Sequence, residues 1–170
     1  NLYGRLLGLD ADRAAIARTR DRLADYGERV TLRQANFEQL HEVAAETGFA
    51  PADGVLFDLG VSSHQLDTER GFSFRRDEAL DMRMDTSAGA SAAELLARES
   101  EAEIARILWE YGEERFSRRI ARAIVRARER KSLATTQELT TVIKESVPAA
   151  YRHGRIHCAT RTFQALRIAV

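Results

Sequence analysis

A carboxylate at the end of an apolar run is the first feature of this chain with chemistry to offer. In Gly54-Val55-Leu56-Phe57-Asp58-Leu59-Gly60-Val61-Ser62-Ser63-His64-Gln65-Leu66-Asp67 the pattern of a buried strand gives way to a polar loop. That loop carries an acid, two hydroxyls, an imidazole and an amide. Open α/β sheets receive ligands outside the carboxyl ends of their strands, and Asp58 stands at such an end. Asp58 could accept from an ammonium group, and Gln65 offers both a donor and an acceptor. Asp10 closes Leu6-Leu7-Gly8-Leu9 in the same manner. A carboxylate there can accept from both hydroxyls of a ribose, and it can equally cap the following helix. Asn36-Phe37 ends the next alternating segment, where an aromatic ring can cover a base or staple a helix.

Downstream, Glu69-Arg70-Gly71-Phe72-Ser73-Phe74-Arg75-Arg76-Asp77 and Leu80-Asp81-Met82-Arg83-Met84-Asp85 place aromatics beside arginines. Such a set suits stacking on an unpaired base and gripping phosphates. The same residues would also serve as a loop wrapped over a core. Arg115, Arg119, Arg122, Arg126 and Arg130 form one helical stripe that could follow a phosphate backbone or simply be solvated.

Taken together, the Asp58 loop, the Arg75 segment and His157-Cys158-Ala159-Thr160-Arg161-Thr162-Phe163-Gln164-Ala165-Leu166-Arg167-Ile168 resemble the bacterial family that methylates the N4 amino group of a cytosine in small-subunit ribosomal RNA. The resemblance implies S-adenosylmethionine as cofactor. It implies a Rossmann-like α/β core interrupted by an all-helical insert. It assigns the cofactor to Asp10 (ribose), Phe37 (adenine), Asp58 and Gln65. It assigns RNA to Phe74, Arg75, Arg76, Arg83, Arg115, Arg119, Arg122, Arg126 and Arg161. The general base stays open among Asp81, Ser62, Ser63 and solvent. The family's glycine-rich loop is expected ahead of Asn1 and further strands beyond Val170, so the 170 residues are expected to be a fragment, inactive by itself. The sequence departs from the family pattern at His64, Glu78-Ala79 and Cys158, where prolines or glycine-proline are usual. A non-catalytic RNA-binding module on the same scaffold is the rival reading, separated from the first by whether the glycine-rich loop exists.

These residues need elements to hold them. Leu6–Leu9, Val30–Ala35 and Asp53–Leu59 read as three strands, with helices over Ala11–Ala24 and Phe37–Thr47 between them. Short joints in a strand–helix order imply parallel pairing. No period holds from Gly60 to Gly89, a length that signals a functional loop. Helical patterns follow. Ser91 with Glu94 and Ser100 with Glu103 have the spacing of capping boxes. Phe116, Ile120, Ala123, Ile124 and Ala127 share a face, Thr136 opens a helix that runs towards Pro148, and a last helix begins at Ala159. The expected division is a core at 1–85, a helical insert at 86–152 and a return helix at 153–170.

Composition agrees with such a chain. Hydrophobic residues make up 44% and charged residues 31%, enough to build a core and too ordered a mixture for a tail. Net charge is zero, yet residues 1–80 carry −4 and 81–170 carry +4, which suits a basic, nucleic-acid-facing second part. A single cysteine excludes a disulfide framework. Carbon-5 methylation of cytosine would require a cysteine nucleophile, and Cys158 lies far in sequence from the Asp58 loop. His153 and His157 lack a third metal ligand. No apolar run reaches the roughly 20 residues of a membrane span, and a cytoplasmic enzyme acting on ribosomal RNA or an assembling small subunit is expected, its oligomeric state open.

Overall fold

A computed structural model describes residues 4–66 and 69–170, the side chains of Ser63 and His64 excepted. The chain divides into two compact units, Asn1–Leu59 and Gly60–Val170.

The first unit is a small α/β arrangement. Strand β1 (Leu6–Asp10) pairs in parallel with β2 (Val30–Gln34), from Leu6 opposite Val30 to Asp10 opposite Gln34. Helix α1 (Arg13–Arg22) makes the crossover between them, and a short 3-10 segment (Ala24–Arg29) turns the chain at Gly27, whose φ of +53° suits glycine. Gly8 is required by packing: a Cβ there would meet Leu32 Cδ2 at 2.8 Å. After β2 a 3-10 turn (Phe37–Gln39) leads into α2 (Leu40–Glu46). The expected single helix over Phe37–Thr47 is thus broken in two, because Asn36 and Gln39 form a capping box that tightens the first turn.

The expected third strand is not formed. Residues 54–59 are irregular, and Val55, Leu56, Phe57 and Leu59 are exposed, Leu56 to 91%. A strand exists only through its ladder, and among the described residues β1 pairs with β2 alone. An apolar run with no polar alternation suits burial on both faces, and nothing described here covers it.

The second unit is helical. A one-turn helix α3 (Ser63–Leu66) is followed, after the loop 69–90, by α4 (Ala92–Arg98), α5 (Glu101–Glu110), α6 (Ser117–Arg128), α7 (Thr136–Ser146), α8 (Ala149–Arg152) and α9 (Thr160–Ala169). Ser91 and Glu94 form the expected capping box, and Ser100 accepts from the Glu103 amide. Ile104, Leu108, Ile120, Ile124, Leu139, Ile143, Phe163 and Leu166 build one core with Leu80 and Met82 from the preceding loop. The compact helical unit therefore includes the loop from Gly60 onward. The loop packs with the helices because its apolar residues, Phe72, Leu80 and Met82, are fully buried there. The return helix α9 likewise belongs to this core and packs on α5. Among the described residues no helix is long and apolar enough to cross a membrane.

Candidate functional site

In the first unit Asp10 ends β1 and Phe37 follows β2, and the segment that holds Asp58 reaches Phe37 through Phe57. Asp10 Oδ1 accepts the Asp12 amide at 2.8 Å, while its Oδ2 engages no partner among the described residues. The helix cap that the sequence left open for Asp10 is supplied by Asp12, whose carboxylate accepts the Ala14 amide at 2.9 Å. The Ala35 amide donates to the Asp10 carbonyl at 3.1 Å, which sets the chain leaving β2 beside β1. Two residues later the Phe37 ring, 52% exposed, meets Phe57 edge to face at a centroid distance of 6.5 Å. Asp58 follows Phe57. It is exposed and makes no hydrogen bond or ion pair among the described residues. An available carboxylate oxygen, a half-exposed aromatic ring and a second exposed carboxylate fit a nucleoside that carries a positive charge.

Gln65 and Ser62 sit differently. The Ser62 amide donates to Gln65 Oε1 at 2.9 Å and the Gln65 amide donates to Ser62 Oγ at 3.2 Å. This reciprocal pair caps α3, and Gln65 is buried. Its carbonyl is used to fold the loop, and Ser62 Oγ serves as an acceptor there. Ser63, the other serine considered as a base, has its side chain outside the described residues, and so does His64.

Asp81 and Arg83 consume each other. Arg83 Nε donates to Asp81 Oδ1 at 2.7 Å and its second nitrogen to Oδ2 at 2.9 Å, a two-pronged ion pair. Met82 between them is fully buried with φ +64°, an unusual conformation that sets its two neighbours together. The Arg83 hydrogen bond holds the Asp81 carboxyl below its usual range, so Asp81 is a poor proton acceptor at neutral pH. The remaining Arg83 nitrogen donates to the Gly89 carbonyl at 3.3 Å. Asp81 and Arg83 thus fix each other.

The arginines divide likewise. Arg75 and Arg76 are exposed at the tip of the loop, which is tied to α7 through Thr136: its hydroxyl donates to the Arg76 carbonyl at 2.7 Å and accepts the Glu78 amide at 3.1 Å. Arg115, Arg119, Arg122, Arg126 and Arg130 are all exposed, on or beside α6, opposite buried Ile120 and Ile124. Arg122 faces Glu101 at 3.4 Å, and Arg115 lies over the rings of Phe116 and Tyr151. Arg161 instead donates to the Glu113 carbonyl, and Gln164 donates to the Tyr111 carbonyl at 3.3 Å. Both pin α9 to the turn after α5. Gly112 permits that contact, since a Cβ would stand 2.4 Å from the Arg161 carbonyl oxygen.

Phe74, which the resemblance assigns to RNA, stacks on His157 and meets Phe163 edge to face. His157, Arg167 and Glu78 hold this loop without having been assigned a role in the sequence. Arg167, more than half buried, donates to the Phe72 carbonyl at 2.8 Å. Glu78 accepts the Gly71 amide at 3.0 Å within the interior. Arg167 was visible in the family-like string, but no spacing rule pairs it with a residue 95 positions earlier.

The first unit thus carries a carboxylate at the end of β1 and a half-exposed aromatic ring after β2, and the second carries exposed arginines along α6. The chain belongs to the MraW methylase family, whose model matches residues 2–170. It is 57% identical over 168 residues to the ribosomal RNA small subunit methyltransferase H of Geotalea uraniireducens, covering 98% of this chain and 54% of that protein. The proteins of the same name from Brevibacillus brevis and Symbiobacterium thermophilum are each 53% identical over 98% of this chain. The chain thus spans about half the length of the curated relatives it matches.

Proposed function

We propose that the protein to which this chain belongs transfers a methyl group from S-adenosylmethionine to the N4 amino group of a cytosine in small-subunit ribosomal RNA, in the cytoplasm. The architecture in this reading is a Rossmann-like core with a helical insert. The family membership and the names of the relatives support it, and the observation that carries it is Asp10 at the end of β1, paired in parallel with β2, after which Phe37 meets the ring of Phe57 next to Asp58.

When bound, the cofactor supplies an electrophilic methyl group on a cationic sulfur. Asp10 Oδ2 accepts from the ribose diol, and Phe37 packs against the adenine. Asp58 accepts from the methionine ammonium and favours the adjacent positive charge. Gln65, expected at the cofactor, also caps α3 together with Ser62 in the loop that follows Asp58. The cytosine amino lone pair is delocalised into its ring, so catalysis rests on orientation and on acceptors placed near the amino protons. With Asp81 committed to Arg83, the released proton passes to solvent after transfer. Arg75, Arg76 and the α6 arginines neutralise phosphates and fix the RNA in register.

Calorimetric titration of the full-length protein with S-adenosylmethionine tests the cofactor half. Asp10→Ala and Asp58→Ala together should abolish measurable binding, and retained affinity would refute the assignment. Transfer of tritium from the cofactor to small-subunit RNA, with the modified base mapped by mass spectrometry, tests the substrate. Binding of RNA without any transfer would favour a non-catalytic module.

A further inference from the structure

The loop residue Phe74 lies parallel to His157, with ring centroids 4.5 Å apart and planes inclined by 15°. Phe163, fully buried, meets the edge of Phe74 at 5.2 Å and anchors it to the core. The imidazole is fixed as well: its Nδ1 accepts the Ala159 amide at 3.2 Å at the start of α9. Accepting at Nδ1 makes Nε2 the protonated nitrogen of the neutral ring. Burial, helped by the Lys144 charge, holds His157 below the usual histidine range, which favours the neutral ring.

One face of this ring is taken by Phe74, yet the residue is only half-buried. Lys144 is near enough to act on His157, and Arg152 and the buried Glu114 both act on the adjoining Cys158. Arg75, Arg76, Arg152 and Arg155 are exposed next to the two rings in sequence, with exposed Ile156 between. A rigid aromatic pair among cations matches the chemistry of an unpaired base with its phosphates, since every base has a π-face and stacks without regard to sequence.

We propose that the Phe74–His157 stack is a platform on which one unpaired nucleobase of the RNA continues the stack over His157, its neighbouring phosphates held by Lys144 and Arg152. The proposal rests on the RNA-substrate reading above and adds a subsite to it. Both rings belong to the helical unit, so the platform is formed without reference to the strand-end residues.

The test uses the full-length protein and a single-stranded oligoribonucleotide of about 12 nucleotides carrying 2-aminopurine at successive positions. Wild-type protein should quench the probe strongly at one position, the mark of a stacked base. His157→Phe should keep that quenching and bind within about twofold of wild type. His157→Leu, which fills the same space without a π-face, should lose the quenching and bind about fivefold or more weakly while melting close to wild type. Lys144→Ala should weaken binding and leave the quenching position unchanged. Equal loss for the Phe and Leu variants, or no position-specific quenching in wild type, overturns the platform. A protein that methylates RNA without such quenching overturns the platform alone. One that quenches but transfers no methyl group overturns the methyltransferase reading alone.

Discussion

Glu114 and Tyr151, 37 positions apart, share a 2.7 Å hydrogen bond in which the phenol donates to the Oε2 atom of a carboxylate that has no exposed surface. The other oxygen, Oε1, accepts the Phe116 amide at 2.9 Å, so the turn between α5 and α6 is bolted to α8. Burial and the adjacent carboxylate push the Tyr151 phenol up to about 12. Its proton is therefore bound more tightly in the folded protein than in the unfolded chain. Stability from this pair is complete below the ordinary phenol value of 10.0 and is lost as pH rises towards 12. Ultraviolet titration at alkaline pH should show one tyrosine ionising well after the others, and Tyr151→Phe should remove that late step. The same variant should cost about 1–3 kcal/mol in urea unfolding at pH 7, because a buried carboxylate oxygen loses its donor.

The loop over residues 71–79 should be as sensitive as the helices it covers. Gly71 has φ +74°, and a Cβ there would stand 2.2 Å from the Ala79 carbonyl oxygen. Gly71→Ala is expected to destabilise by at least about 1 kcal/mol from backbone strain alone. Thr136→Val leaves the Glu78 amide and the Arg76 carbonyl without their partner, and about 1–3 kcal/mol should be lost. Denaturant midpoints of the two variants, compared with an exposed control such as Gln137→Ala, check this.

Asp81 gives an acid-side prediction. Its folded value lies below the unfolded 3.8, chiefly through the Arg83 hydrogen bond. The pair therefore stabilises the fold fully above that unfolded value, and the contribution fades as pH falls through the lower folded value. Asp81→Asn should unfold at lower urea than wild type at pH 7, and the gap should narrow below about pH 4. A gap that is constant with pH would remove the ion pair as its cause.

For the α6 face, the salt dependence of RNA binding is the informative quantity. Arg119→Ala and Arg126→Ala should each reduce the slope of log affinity against log salt by about 0.7 for single-stranded RNA. Arg122 already faces Glu101, and its substitution should change the slope less.

Cys158 is buried, and burial raises its thiol. It should react with a thiol reagent only on unfolding, and Cys158→Ala should leave methyl transfer within about twofold of wild type, since a buried, protonated thiol is inert.

Local signals carried much of this molecule. Period and capping residues located α1, α4, α5, α6 and α7, because a helix satisfies its hydrogen bonds within itself and advertises its caps and apolar stripe. The strand at 53–59 was equally plain as a pattern and is not formed, because a strand depends on a neighbour that no local pattern supplies. Arg83 and Arg161 read as cations suited to phosphate, and the fold pairs Arg83 with Asp81 and ties Arg161 to the Glu113 carbonyl. Asp81 is two residues from its arginine and still was not recognised as taken, since the αL turn at Met82 that closes the pair has no reliable sequence mark in a non-glycine residue.

By itself the order of residues settled the family, the helical nature of residues 92–169, and the carboxylate at the end of β1, all of them properties written in strings and short periods. Only the folded arrangement decided which polar groups are already satisfied: Asp12 took the cap from Asp10, Gln65 turned back on Ser62, and Phe74 found His157 across 83 positions of chain. The reason is physical. A donor or acceptor is available for chemistry only when no nearer group has claimed it, and the claimants are brought close by packing between residues distant in sequence.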